Sequence, residues 1–138
     1  MGKINWARVL LGGLLAGVVV NVFEYVTNGV VLAADWAAAS SALGHPMPAS
    51  AIPVFIVWGF LVGIAAIWLY AAARPRFGAG AKTAVLTGFA FWVIGYVFPN
   101  VVTAALQTYP SRLLVITTLV GLVEITIGSL AGAWVYQE

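Results

Sequence analysis

The sequence predicts an all-α integral membrane protein, a four-helix transmembrane bundle. Of its 138 residues, 63% are hydrophobic and only 7% are charged, whereas about a quarter of an average soluble domain is charged. The apolar residues form four runs of the length, about 20 residues, that a helix needs to cross a bilayer. These runs do not alternate in polarity, which excludes membrane strands of about 10 residues.

Each apolar run has recognisable limits. The first follows Lys3 and Arg8 and is too long for the apolar part of a signal peptide, about 7–15 residues, so we expect it to be retained. Between the first two runs, Asp35 and Gly44 delimit a short helix that Trp36 would anchor at the membrane surface. We predict one domain, residues 1–138, with spans at about 9–33, 51–72, 81–106 and 113–136 and a surface helix at 35–43.

The basic residues indicate the orientation of the spans. Five of the six Lys and Arg residues lie before the first span or around the loop between the second and third spans, and only Arg112 lies at another loop. Because basic residues concentrate on the cytoplasmic side, both termini are predicted to be cytoplasmic. The net charge of +2 is small and scattered, so we expect the lipid bilayer, and no nucleic acid, as a partner.

Composition and motifs narrow the chemistry. The chain has no Cys and a single His, His45, which excludes thiolate ligands and a multi-His site within one chain. No phosphate-binding loop, zinc-protease helix or nucleophile elbow is found. We therefore expect no metal and no cofactor, and a role other than catalysis is favoured.

Two acidic residues, Glu24 and Glu124, lie inside long apolar runs that contain no Lys or Arg. A charged side chain at the bilayer centre costs roughly 2.5–3.5 kcal/mol on insertion scales. Removal from water favours the neutral form of a carboxyl group, so one or both should be protonated at neutral pH. If the two groups meet, they should titrate as a coupled pair.

Small and polar residues share one face on the first span and one on the fourth. They recur at steps of three and four, which places them on one side of a helix. Small residues at this spacing allow close helix packing in lipid, so the carboxyl groups should point into the bundle or into a partner subunit. The packing residues predicted in this way are Gly13, Gly17, Gly121, Gly128 and Gly132.

Other polar groups lie at a similar depth. Pro99 cannot donate a hydrogen bond to the Gly95 carbonyl, so we predict a kink, or a gate, in span three. The predicted site for a proton, a cation or a polar group consists of Glu24, Glu124, Asn21, Asn28, Asn100, Tyr25 and Tyr96. The alternative is that the carboxyls are neutral and only join helices by hydrogen bonds.

The two halves of the sequence echo each other. Residues 21–26 align with 96–101, and residues 64–70 align with 130–136, which includes Trp68 with Trp134 and Tyr70 with Tyr136. Both halves would be hairpins that begin and end on the same side of the membrane. The pattern predicts a tandem duplication about an axis along the membrane normal.

Residues 88–99, Gly-Phe-Ala-Phe-Trp-Val-Ile-Gly-Tyr-Val-Phe-Pro, and the end of span four at Gly132-Ala133-Trp134 carry a resemblance. They resemble a family of small bacterial four-helix membrane proteins catalogued as domain of unknown function 1761. Members tend to have Tyr-Ser-Pro at the outer end of span one, where this chain has Tyr25 followed by Val-Thr-Asn. The family has no assigned activity, so the resemblance implies only the fold and a bacterial cytoplasmic (inner) membrane.

Three functional hypotheses follow. The first is a small transport or ligand-binding protein that binds a proton, a cation or a polar group at the midplane carboxyls, as a homo-oligomer because four spans are few for a complete transporter. The second is a non-catalytic structural subunit of a larger membrane complex. The third is an intramembrane enzyme that uses the two carboxyls as acid and base on a lipid or isoprenoid.

Overall fold

The protein is built from helices in the computed structural model, which describes residues 3–137. These residues contain no strand. Four of their five helices are long and apolar enough to cross a membrane, which confirms the predicted all-helical class at this level. The helices are α1 (Trp6–Val31), α2 (Ala33–Ala42), α3 (Ala51–Phe77), α4 (Ala81–Ala105) and α5 (Ser111–Val135).

Helix ends differ from the predicted limits for local chemical reasons. Helix α1 starts three residues early because the Asn5 side chain accepts a hydrogen bond from the Arg8 N–H at 3.2 Å, which caps the helix. Helix α3 runs five residues beyond the predicted limit, to Phe77. It ends there because Gly78 adopts a positive φ of 86° and its N–H bonds to the Arg74 carbonyl at 2.8 Å. Asp35 lies in the first turn of α2 and does not cap it.

Two helices contain wide π turns in the half of the bundle nearest α2. They are Tyr25–Val31, which ends α1, and Val93–Val97 within α4. The second segment ends directly before Phe98-Pro99. The Pro99 ring would clash with the Gly95 carbonyl in an ordinary α-turn, and the wider turn at Val93–Val97 relieves that clash. Turns of this kind are rare and are frequently found at functional sites. The kink or gate at Pro99 stays a prediction.

Helix α1 is at the centre of the packing and approaches two partners closely. On one side Gly17 lies against α3, where an added Cβ would come within 2.8 Å of the Phe60 Cα. On the other side Gly12 faces the Gly132 carbonyl of α5, and a Cβ on Gly12 would lie 2.5 Å from that oxygen. Gly13 also packs on α3, and Gly128 packs on Ala16 of α1. Gly12 is a packing position that the sequence pattern missed.

The bundle is tight at one end and open at the other. The end with both termini is here called the termini end, and the opposite end is called the α2 end. Buried residues of α3 and α4 lie toward the termini end: α3 has none before Gly59, and α4 has none after Gly88. Residues 52–58 of α3 are exposed on all sides. At the α2 end, Leu32, which precedes α2, and Ala39 of α2 pack with Leu113 of α5.

Tyrosine side chains tie the termini end together. The Tyr70 hydroxyl accepts a hydrogen bond from the Gly80 N–H at 3.0 Å, which fixes the loop between α3 and α4. The Tyr136 ring meets the Tyr70 ring edge-on with centroids 5.9 Å apart, and its hydroxyl accepts from the Asn5 N–H at 3.2 Å. The first and last described segments are therefore joined at this end.

Candidate functional site

Glu124 of α5 is completely buried, with 0% of its surface exposed. Its Oε1 accepts a hydrogen bond from the Tyr96 hydroxyl of α4 at 2.5 Å. The Tyr96 ring lies directly over Gly121, where any side chain would collide with the ring. Gly121, predicted as a helix-packing residue, therefore makes room for the tyrosine that holds the Glu124 carboxyl.

Glu24 is held from within its own helix. Its Oε2 accepts a hydrogen bond at 2.7 Å from the side-chain nitrogen of Asn28, one turn further along α1. Asn28 is half-buried, and Glu24 is exposed at the surface of the single chain. The two acidic residues thus differ: Glu124 points into the bundle as expected, whereas Glu24 lies at its edge.

The two carboxyl groups meet. Glu24 is close enough to Glu124 for a side-chain hydrogen bond and for charge repulsion. Within residues 3–137, no N–H or O–H group donates to the buried Oε2 of Glu124. Two carboxylate oxygens repel each other, and they can bond only when a proton lies between them. A proton shared by the two carboxyls, or another positive charge between them, would remove this repulsion.

Hydrogen bonds extend this pair to α2. The indole N–H of Trp36 donates to the Asn28 side-chain oxygen at 2.8 Å. Helix α2 is itself held against the start of α5, since the Trp36 ring meets the Tyr109 ring edge-on at 5.3 Å. The ion pair of Asp35 with Arg112, at 2.9 Å, is exposed beside this contact and adds little to it. A continuous polar path, here called the polar chain, runs through Trp36, Asn28, Glu24, Glu124 and Tyr96.

Trp36 is the member of the polar chain that sequence reasoning missed. It was predicted only as an anchor at the membrane surface. It lies eight residues after Asn28, across the boundary between α1 and α2, so no single helical period connects the two. Only the turn at Leu32, whose N–H bonds to the Thr27 carbonyl at 2.8 Å, brings α2 back onto α1.

Replacing Trp36 by phenylalanine should destabilise the protein by about 0.5–1.5 kcal/mol, the net worth of one hydrogen bond. The ring contact with Tyr109 would be kept, and the N–H to Asn28 would be lost. The measurement is SDS-induced unfolding of the purified protein followed by circular dichroism. Trp58→Phe is the matched control, because Trp58 is exposed. An equal change in both variants would contradict a role for the Trp36–Asn28 bond.

The remaining predicted site residues lie elsewhere. Asn21 donates to the Gly17 carbonyl at 3.0 Å and to the Ile56 carbonyl of α3 at 3.2 Å, which links α1 to α3. Asn100 donates to the Thr118 hydroxyl at 2.6 Å and links α4 to α5. Tyr25 is exposed. In the described part of the chain, none of these three is hydrogen-bonded to the carboxyl pair.

Four apolar helices with a buried glutamate among them are the features of a multi-pass helical membrane protein. The chain matches no protein-family model, no curated protein and no solved structure. The resemblance to the four-helix family noted above therefore stays a prediction. What can be said of function has to come from the site itself.

Proposed function

We propose that this protein is a small transport protein in which Glu24 and Glu124 together bind a proton or a small cation. The observation that carries the proposal is the buried Oε2 of Glu124, which has no hydrogen-bond donor among the described residues and faces a second carboxyl. Ionisable groups inside membranes often mark the paths of protons and ions.

The exposure of Glu24 supports transport over a purely structural role. A carboxyl that only joined helices would be best hidden on all sides, because lipid offers it no hydrogen bond. Glu24 instead remains exposed while it touches the buried Glu124. One partner of the pair is thus reachable from outside the bundle and the other is not, which is what a loading site needs.

The shape of the bundle favours access from one side. The helices are open at the α2 end and closed at the termini end, where Tyr70, Tyr136 and Asn5 are joined. By the distribution of basic residues, the termini end is cytoplasmic in a bacterial inner membrane. The site would then be open to the outer side in this conformation. A second conformation or a second copy in a homo-oligomer would complete the path.

Ion flux through reconstituted vesicles tests the proposal. Vesicles containing the wild-type protein should take up protons or a monovalent cation under an imposed potential. Glu124→Gln should reduce that flux to the level of protein-free vesicles, because the amide cannot release a charge. The control is Asp35→Asn, which removes an acid from an exposed ion pair worth about 0–1 kcal/mol. Equal flux in wild type and Glu124→Gln, or none in either, would refute the proposal.

A second function, as a non-catalytic subunit of a membrane complex, is favoured by one observation. Residues 52–58 of α3 are exposed on all sides, and Phe55 and Trp58 project from them. Aromatic residues are enriched in the centres of protein interfaces. This alternative predicts a stoichiometric partner that co-purifies from native membranes. An isolated homo-oligomer would count against it.

A further inference from the structure

We infer that the ligand of the Glu24–Glu124 pair is a proton and not a metal cation, and that it is loaded through Glu24. The inference rests on the proposed function and specifies its ligand. It is carried by the direction of the hydrogen bonds around the four carboxyl oxygens, together with the difference in burial between the two residues.

Two of the four carboxyl oxygens are already occupied by hydrogen-bond donors. Asn28 donates to Oε2 of Glu24, and Tyr96 donates to Oε1 of Glu124. Among residues 3–137, no N–H or O–H donates to the buried Oε2 of Glu124, and the bond from Asn28 has no second described donor beside it on the exposed Glu24 carboxyl. One proton shared by the two carboxyls would supply the hydrogen that Oε2 of Glu124 lacks. The site therefore lacks one hydrogen.

The groups around the pair present hydrogens where a metal ion would need oxygens. The side-chain oxygen of Asn28 accepts from the Trp36 indole, and this bond turns the amide so that its NH₂ group faces Glu24. Trp36 thereby removes the one amide oxygen that lies close enough to serve as a ligand. The Tyr96 hydroxyl likewise directs its hydrogen at Glu124.

The number of ligands also favours a proton. Calcium takes six to eight oxygen ligands, and magnesium requires near-octahedral coordination. The pair offers two free oxygens, and no third acid or histidine joins them in the described residues. A proton needs two oxygens, one to carry it and one to accept its hydrogen bond.

Burial sets the order of transfer. A proton from water at the α2 end reaches the exposed Glu24 carboxylate first. It then passes to Glu124, whose Oε2 becomes the O–H donor while the Glu24 carboxylate becomes the acceptor. The Tyr96 O–H stays bound to Oε1 throughout, so one proton moves and no other bond changes.

No basic group competes for this proton within the described chain. The basic residues of α1, α3 and α4 all lie at the termini end: Arg8, Arg74, Arg76 and Lys82. On α2 the charged residue is Asp35, which is paired with Arg112 of α5. The titratable groups that face Glu24 are thus Glu124 from α5 and, from α4, the Tyr96 hydroxyl.

Infrared spectroscopy of the reconstituted wild-type protein tests the ligand directly. The carbonyl stretch of a protonated carboxyl should be present at low pH and lost as the pH rises. At a fixed pH where the band is present, sodium, potassium, lithium, magnesium and calcium should leave it unchanged. Glu124→Gln and Glu24→Gln assign the band to the pair, with Asp35→Asn as the matched control.

The possible outcomes separate the two proposals. Loss of the band on adding one of these cations would overturn the proton assignment and leave ion binding at the pair intact. A band that responds neither to pH nor to any cation would overturn both proposals, because the carboxyls would then be permanent structural groups. Neither result requires a variant to fold.

The role of Glu24 has its own readout. On transfer to D₂O the carboxyl band shifts as the proton is replaced by deuterium. Glu24→Gln should slow that shift for the remaining Glu124 carboxyl, whereas Asp35→Asn should not. Equal exchange rates in wild type and Glu24→Gln, in samples of equal helix content, would overturn loading through Glu24.

Discussion

Replacing Gly63 by alanine is expected to destabilise the bundle by about 3 kcal/mol, at the upper end of the usual cost of overpacking. The added Cβ would lie 2.7 Å from the Gly17 Cα and closer still to the Gly17 nitrogen and the Gly13 oxygen. All three are backbone atoms of α1, so no side chain can rotate away. Helices α1 and α3 would have to separate along their closest contact.

SDS-induced unfolding of purified protein measures this effect, and Gly95→Ala is the matched control. A Cβ on Gly95 would meet only the Phe91 ring, at 3.4 Å or more, which is an ordinary contact. Alanine is also the better helix former, by about 0.5–1 kcal/mol within a helix, so this variant should be neutral or slightly more stable. A Gly63→Ala protein as stable as wild type would show that the two helices do not touch as described.

Removing the Tyr96 hydroxyl is the second substitution expected to have a large effect. In Tyr96→Phe the ring over Gly121 is kept, and Oε1 of Glu124 loses its donor at 2.5 Å. A buried polar group without a partner costs about 1–3 kcal/mol. Because Glu124 has 0% exposure, water does not replace the lost bond in the folded protein.

Tyr25→Phe is the control, since Tyr25 carries the same group on an exposed side chain. Unfolding midpoints should separate the two variants clearly, with Tyr25→Phe close to wild type. The carbonyl stretch of Glu124 should also shift in Tyr96→Phe alone, because only that variant changes the hydrogen bonding of the carboxyl. Matching spectra in both variants would contradict the Tyr96–Glu124 bond.

The fold class was predictable because lipid imposes strong constraints on sequence. Apolar runs of sufficient length predicted the four long helices. Asp35 and Gly44 predicted a short helix at 35–43, and the structure has α2 at Ala33–Ala42. The helix ends were less accurate because they depend on single contacts, such as the Asn5 cap and the positive φ of Gly78. Helical periodicity carries no information on such contacts.

The site was predictable in part. Glu24, Asn28, Glu124 and Tyr96 were all named from the sequence, and the structure joins them. Asn21 and Asn100 are grouped with them because their positions along the spans indicate a similar depth in the membrane. Depth in the membrane does not determine which neighbouring helix a side chain faces. Trp36 was missed because its bond crosses a chain reversal.

Several predictions are unaffected by the structure. The tandem duplication, the cytoplasmic position of the termini and the family resemblance stay predictions. The hypothesis of an intramembrane enzyme also stays open, since the two carboxyls meet and Glu24 is exposed. Its test is turnover of a lipid or isoprenoid by the purified protein, with Glu124→Gln as the inactive variant.

The wide turns at Tyr25–Val31 determine how α2, which follows them, is rotated about the helix axis relative to α1. An α-helix advances by about 100° for each residue, and a wide turn absorbs one extra residue without passing that rotation on to the segment that follows. If Tyr25–Val31 became an ordinary α-helix of the same length, Trp36 would rotate away from Asn28 by about that angle. The carboxyl pair would remain while α2 became disconnected from it. A change of turn type in this segment is thus a way to attach or release α2 without altering the chemistry of the site.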